Sequence, residues 1–310
     1  MDDEVDTSTL LNEGCEYRER LGPDAEGQNL LEYLSRRYAH STAEEWAARI
    51  AAGLVRLDGQ AGHAESVLRR GGELVWERPP WAEPEAPRSF EVLYEDEDLL
   101  AVAKPAGLPT LPGAGFLQGT LLYQVQAYAP DAAPVHRLGR WTSGLVLCAR
   151  NHLARTSLMQ QWSAREIGKH YRALASGLPE WEGLTITTPI GPVPHPLLGQ
   201  VHAANPAGKT ALSRVVVCQR GVEEFLCDVE IATGRPHQIR IHLAAAGHPL
   251  VGDPLYLAGG VPAPDSRAVP GDPGYLLHAA RLSCRHPRNG SAMVITCEPP
   301  ARLWQLGAGR

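Results

Sequence analysis

The chain has 310 residues, 44% hydrophobic and 21% charged, ordinary globular usage that excludes collagen-like, low-complexity and wholly disordered chains. No apolar run approaches the roughly 18 residues that cross a bilayer as a helix. The net charge of −6 argues at first against a nucleic-acid partner, but residues 1–27 carry nine acids against Arg18 and Arg20, which leaves a net +1 on residues 28–310.

At roughly 100–200 residues per domain, the length predicts two domains. The acidic start Met1-Asp2-Asp3-Glu4 is unlike a signal peptide. Six cysteines without a CxxC pair read as thiols of a reducing cytoplasm rather than a disulfide frame. Residues 1–27 lack apolar periodicity and are expected to form a loosely docked end segment. Asn29 is placed to cap a helix carrying Leu30, Leu31 and Leu34, with Arg36 and Arg37 in its last turn. Ser41-Thr42 opens a second helix through Trp46, Arg49 and Ile50, closed by Gly53. Val55–Leu57 alternates as a strand, and Asp58-Gly59 signals a hairpin turn. A strand over Glu73–Trp76 follows, and Pro84 and Pro87 mark residues 82–88 as a linker.

From Ser89 short strand-like runs dominate: Val92–Tyr94, Leu99–Ala103, Leu145–Ala149, Leu212–Cys218, Phe225–Ile231 and Met293–Cys297. Helical stretches fall near 119–128, 152–165 and 236–246, and residues 258–274 read as a Gly/Pro/Ala-rich surface loop. This is strand-rich α+β without regular βαβ alternation. Of the 29 cations 26 are Arg, whose planar fork suits phosphate and bases, although a GC-rich genome gives the same bias.

Four segments crowd polar and special-backbone residues into apolar surroundings. In Val102–Gly107, Lys104 offers a phosphate contact, and a plain strand end before a Pro-Gly turn explains it equally. In His136–Gly144, two Arg, a His, two hydroxyls and two Gly lead into a buried strand, where polar groups need partners. In Lys169–Leu174, alternation puts Lys169 and Tyr171 on one face, as in any half-buried strand. In Thr233–Leu243, Pro236 suits the first helical position and Gly247 the stop, and Arg240 beside apolar neighbours calls for an anion.

These segments, KPAG, HRLxRxTSG, KxYRAL and TGRPHQIRIHL followed by GHPLVGDPLY, resemble in order and spacing the RluA-type pseudouridine synthases over residues 89–300, with LHAARL at 277–282 also fitting. The stretches LxxYLSRRY, RIxxGLVRLDG and VLRRGGELVW in residues 28–80 are similar to the αL RNA-binding module of small-subunit ribosomal protein S-four. The resemblance implies a mixed, mainly antiparallel catalytic domain over 89–310, preceded by a small α/β RNA-binding module over 28–81. It implies isomerisation of uridine in structured ribosomal or transfer RNA by a cytoplasmic monomer, without metal, cofactor or membrane. The base leaves its stack for an aromatic ring, the role implied for Tyr171. Arg240 is implied to pair with the catalytic carboxylate. Arg137, Arg140, Lys104, Lys169, His136, Arg36, Arg37 and Arg49 are implied RNA contacts.

At the family's catalytic Asp position this chain has Gly139, and residues 140–143 hold no acid. Three readings stay open: an RNA-binding paralogue that does not isomerise, a carboxylate brought in from elsewhere, or an engineered or misread position. Asp253 is expected to order a turn. A metallohydrolase on His237, His242 and His248 lacks helical i, i+4 metal spacing, and a serine hydrolase on Ser143 lacks the GxSxG turn.

Overall fold

The computed structural model describes residues 11–38, 40–269 and 271–306, and the chain divides into two compact units between Glu83 and Pro84. The first holds β1 (Cys15–Arg20), α1 (Leu30–Arg37), α2 (Ala43–Ala51), β2 (Val55–Leu57), β3 (Gln60–Ala61) and β4 (Glu73–Arg78), with sheet order β1-β4-β2-β3. Thr42 and Glu45 close a reciprocal capping box on α2, each satisfying a backbone N–H that the first turn leaves free. Asn29 takes the cap position of α1 without the cap hydrogen bond. Asp58 and Gly59 both have positive φ, 48° and 80°, as a two-residue hairpin turn demands. The core gathers Leu30, Tyr33, Leu34, Trp46, Val55 and Leu68.

The expectation of a loosely docked end over residues 1–27 is corrected from Cys15 onward. There β1 pairs with β4 in register from Cys15↔Arg78 to Arg20↔Glu73. The strand lacks an apolar face because it is an edge held by its ladder and by exposed ion pairs such as Arg18–Glu73; charge on an edge also discourages pairing with other chains. The part of that expectation on residues 1–10 lies outside the described residues.

The second unit contains β5 (Glu91–Glu95), β6 (Leu99–Lys104), α3 (Leu121–Tyr128), β7 (Ala133–Pro134), β8 (Ser143–Ala149), α4 (His152–Ala164) and β9 (Gly168–Ser176). It continues through β10 (Gly183–Ile186), β11 (Ile190–His195), β12 (Gly199–Ala204), β13 (Ser213–Arg220), β14 (Glu224–Ile231) and α5 (Gln238–Ala245). The chain ends with β15 (Tyr256–Leu257), β16 (Val261–Pro262), β17 (Leu277–Arg285), β18 (Ala292–Thr296) and α6 (Ala301–Trp304). A ten-stranded sheet runs β10-β13-β14-β9-β17-β8-β6-β5, with β18 on β17 and β7 on β8. All its pairings are antiparallel except β17 with β8. At that junction a Cβ on Gly144 would lie 2.4 Å from the Ala279 carbonyl oxygen, so only glycine lets the two strands meet.

Three apolar clusters flank the sheet, around Phe225 and Ile239, around Leu147 and Leu158, and around Val102 and Val125. The 82–88 linker is partly absorbed: the Pro87 carbonyl accepts from Gln124 and the Glu85 carbonyl from Arg140. The Pro236 expectation is also corrected. The helix begins at Gln238, with His237 as its cap in the left-handed region at φ 52°. Gln238 makes this start possible, accepting from Arg235 N and Thr233 Oγ1 and donating to the Leu212 carbonyl.

Candidate active site

The His136–Gly144 segment is a loop pinned at nearly every residue. Thr110 Oγ1 accepts from Leu138 N at 3.2 Å and donates to the Leu138 carbonyl at 3.0 Å. Lys104 Nζ donates to the carbonyls of Pro105, Leu108 and Arg140 at 2.8–3.0 Å. Gly107 N also reaches the Arg140 carbonyl, and Arg140 Nε returns a bond to the Gly107 carbonyl. At the far end Ser143 Oγ meets His278 Nδ1 at 2.9 Å.

This pinning corrects several implied RNA contacts. Lys104 is 1% exposed, its three donors are consumed, and burial pushes its pKa down to about 7; it fastens the KPAG turn to the loop and meets no phosphate. His136 stacks on Trp162 at 4.8 Å and accepts from Leu147 N. Burial, aided by the nearby Lys169 charge, lowers its pKa to about 3, so it is a neutral acceptor inside the fold. Arg140 lies over the Phe116 ring at 4.6 Å and donates to the Gly107 and Glu85 carbonyls, so part of its fork is used inside the fold. In the first unit Arg49 lies over Trp46 and Trp76 and donates to Ser41 Oγ; its charge faces the aromatic core. The other implied contacts are more open. Arg137 and Arg36 are exposed, Arg37 is exposed beside Glu19 at 3.5 Å, and half-buried Lys169 lies 5.3 Å over the Trp162 ring.

Tyr171 sits mid-strand in β9, opposite Val229 of β14 and Ala279 of β17. Burial raises its phenol to about 12, so at neutral pH it is an uncharged ring. Arg240 is on α5, where every residue from Gln238 to Ala244 is buried, and its anion is Asp253. The guanidinium Nε and a terminal nitrogen donate to the two carboxylate oxygens at 2.7 Å each, and the side chains are 3% and 1% exposed. Burial works against the Arg240 charge, but the hydrogen bonds and charge of Asp253 outweigh it and raise its pKa. Asp253 also orders the turn, accepting from Leu255 N and Tyr256 N. Arg240 is thus paired through Asp253, whose carboxylate is too enclosed to stand in for an acid at position 139.

Sequence reasoning missed Tyr275. The Arg240 guanidinium lies 4.2 Å over its ring, and its hydroxyl is 3.5 Å from Thr142 Oγ1, next to Gly139. His237 Nδ1 meets Tyr256 Oη at 2.8 Å, and that hydroxyl donates to the His202 carbonyl; its one proton is used there, so His237 Nδ1 is the donor. Burial and the Arg240 charge lower the His237 pKa to about 4.

The histidines of the metallohydrolase reading do not converge. His242 bonds Ser213 Oγ and the Thr188 carbonyl, and His248 the Ser176 carbonyl. Elsewhere Asp96, Asp98 and His286 bring ligand atoms within 4.8 Å of one another, but His286 and Tyr94 already bond Asp96, and Arg288 grips Asp98 with two bonds. Among the described residues no helix is long and apolar enough to cross a membrane.

Known proteins resemble the chain over most of its length. Residues 98–245 match the family described as RNA pseudouridylate synthase. The chain is 40% identical over 344 residues to RNA pseudouridine synthase 5 of Arabidopsis thaliana, covering 93% of each chain. It is 34% identical over 316 residues to Ribosomal large subunit pseudouridine synthase D of Pseudomonas aeruginosa, covering 96% of each. Among solved structures, Human RNA Pseudouridylate Synthase Domain Containing 1 aligns with a TM-score of 0.55 at 26% identity, over 70% of this chain and 86% of that one.

Proposed function

The chain belongs to the RluA-type RNA pseudouridine synthases, and from that premise we propose that its substrate is a uridine in structured ribosomal or transfer RNA. The observation that carries this reading is the meeting of all four motif segments at one place. Lys104 ties the first to the second through the Arg140 carbonyl. Tyr171 of the third pairs with Ala279, which also pairs with Gly144 of the second. Arg240 of the fourth reaches back to Gly139 through Tyr275.

The reaction breaks the bond from ribose C1′ to uracil N1, turns the base, and joins C1′ to C5. The residues divide the work. Tyr171 supplies an uncharged ring for a base taken out of its stack, and such stacking contributes about 1–3 kcal/mol per base. The Arg240–Asp253 pair supplies a fixed floor whose charge is balanced without help from the substrate. Exposed Arg137, on the loop beside Gly139, is the cation available to a phosphate or to the gap that a flipped base leaves. The first unit acts as an αL-type RNA module, its exposed Arg36 on α1 serving the phosphate backbone. We take the protein to be a cytoplasmic monomer; its cysteines are free thiols, which suits a reducing compartment.

The test is pseudouridine mapping on ribosomal and transfer RNA from cells with and without this gene, joined to a rate measurement on the purified chain. A site lost with the gene and restored by the protein is the expected outcome. Gly139→Asp is expected to isomerise that site at least ~100-fold faster than the parent, about 2.7 kcal/mol of barrier. An unmodified RNA with either protein leaves the binding-only reading, and equal rates mean that position 139 does not limit the chemistry.

A further inference from the structure

Gly139 removes the family carboxylate but does not leave the position without a functional group. A Cβ built on Gly139 would lie 3.1 Å from Tyr275 Oη and 3.4 Å from Thr142 Oγ1. The backbone at 139 lies outside the left-handed region, so glycine is not there to satisfy a turn, and a side chain fits once the Tyr275 hydroxyl gives way by a few tenths of an ångström. Gly139 is exposed, and the space its absent side chain leaves ends on the Tyr275 hydroxyl. That hydroxyl is held still. Tyr275 is 4% exposed within the cluster containing Ile239 and Leu277, with Trp141 and Tyr171 packed against it. Arg240, itself locked by Asp253, covers its ring.

The geometry points to Tyr275 as the catalytic hydroxyl of this chain, acting on the target uridine where its relatives' pattern places a carboxylate; this rests on the proposed function above. When the C1′–N1 bond breaks, its electron pair leaves with the base as a uracil anion spread over N1, C5 and the two carbonyl oxygens. The Tyr275 O–H hydrogen-bonds that anion and keeps its own proton, a preorganised donor of the kind that stabilises developing negative charge. After the base turns, the pair on C5 forms the C5–C1′ bond, and the C5 proton passes through water to N1. Nothing is consumed and no covalent enzyme adduct forms. A hydroxyl offers the ribose carbocation less than a carboxylate would, consistent with the faster rate expected of Gly139→Asp.

The test measures single-turnover pseudouridine formation and RNA affinity for the full chain, using ribosomal RNA from cells lacking the gene. Tyr275→Phe is expected to slow the parent at least ~10-fold, about 1.4 kcal/mol, with RNA affinity unchanged within about twofold. In the Gly139→Asp background the same change is expected to cost less than about threefold, because the carboxylate takes over; a merely structural role would cost the same in both backgrounds. Fluorotyrosine at 275 keeps the ring while sharpening the hydroxyl as a donor. It is expected to change the rate at an unchanged melting temperature, and it serves should Tyr275→Phe fail to fold. Equal rates for Tyr275→Phe and parent, equal losses in the two backgrounds, or no effect of fluorotyrosine each overturn the assignment. A parent that is inert while Gly139→Asp works also overturns it, and leaves the chain an RNA binder whose pocket still accepts the target uridine. If neither protein modifies RNA, the proposed function itself fails.

Discussion

Asp253→Asn tests the deepest electrostatic feature of the second unit. The substitution keeps an oxygen for the N–H groups of Leu255 and Tyr256, but it replaces the anion of a pair whose members are 3% and 1% exposed and turns amide hydrogens toward a guanidinium. Removing one partner of a buried pair costs about 3–5 kcal/mol, because the remaining charge is uncompensated and desolvated. At about 2–4 °C per kcal/mol for a domain of this size, the melting temperature falls roughly 6–20 °C. Calorimetry and urea denaturation of the full chain at pH 7 give the value. The paired replacement Arg240→Met with Asp253→Asn is expected to recover much of the stability, since it removes the uncompensated buried guanidinium while an amide oxygen still accepts from Leu255 N and Tyr256 N, and none of the isomerisation. A loss below about 1 kcal/mol for Asp253→Asn would mean that Arg240 draws its counter-charge elsewhere, and the account of the pocket floor would fall.

Two further outcomes are expected. RNA affinity falls steeply between 50 and 200 mM salt, with a log–log slope of about −0.7 to −0.9 per phosphate neutralised; a flat salt titration by filter binding would exclude phosphate contact by Arg137 and Arg36. His136 stays neutral in the fold down to about pH 3, whereas in the unfolded chain it protonates near its ordinary value of about 6.5. Its contribution is therefore fully present above about pH 6.5 and is lost as pH falls, by about 3 kcal/mol on reaching pH 4. His136→Gln, measured by urea midpoints across that range, is expected to show a shallower acid slope than the parent; parallel curves would contradict the buried assignment.

The motif segments were legible because each is local: a turn, a strand and a helix start carry their polar residues within a few positions. Their burial was not legible. Lys104 looks like a phosphate contact until β6 delivers it beneath three carbonyls. His136 looks like an RNA contact until Leu147 N claims it. The partner of Arg240 was half visible: an Arg among Ile239, Ile241 and Leu243 must find an internal anion, and Asp253 is the nearest acid downstream in sequence. Its reading as a turn residue was correct but incomplete, since one carboxylate does both. Tyr275 gave no signal. It follows a Gly/Pro-rich loop, 133 positions from Thr142, and reaches Gly139 because β17 inserts between β9 and β8, a pairing that no local periodicity encodes.

That insertion has a temporal meaning for a chain made from one end. Ser143 and His278, which face each other across β8 and β17, are 135 residues apart, about 7–27 s of synthesis at roughly 5–20 residues per second. Until β17 emerges, β8, already paired with β6, and β9, paired with β14, each keep one backbone edge unsatisfied, the condition in which strands find wrong partners. Such distant contacts also slow folding, because loop closure costs entropy before the ladder forms. Growth at raised temperature, and substitutions in β17 such as Ala279→Val, which would overfill the cluster around Val102 and Val125, should therefore reduce soluble yield well before they alter the rate of correctly folded enzyme. The late strand completes the sheet and the pocket in one event, so a nascent chain lacking it has neither.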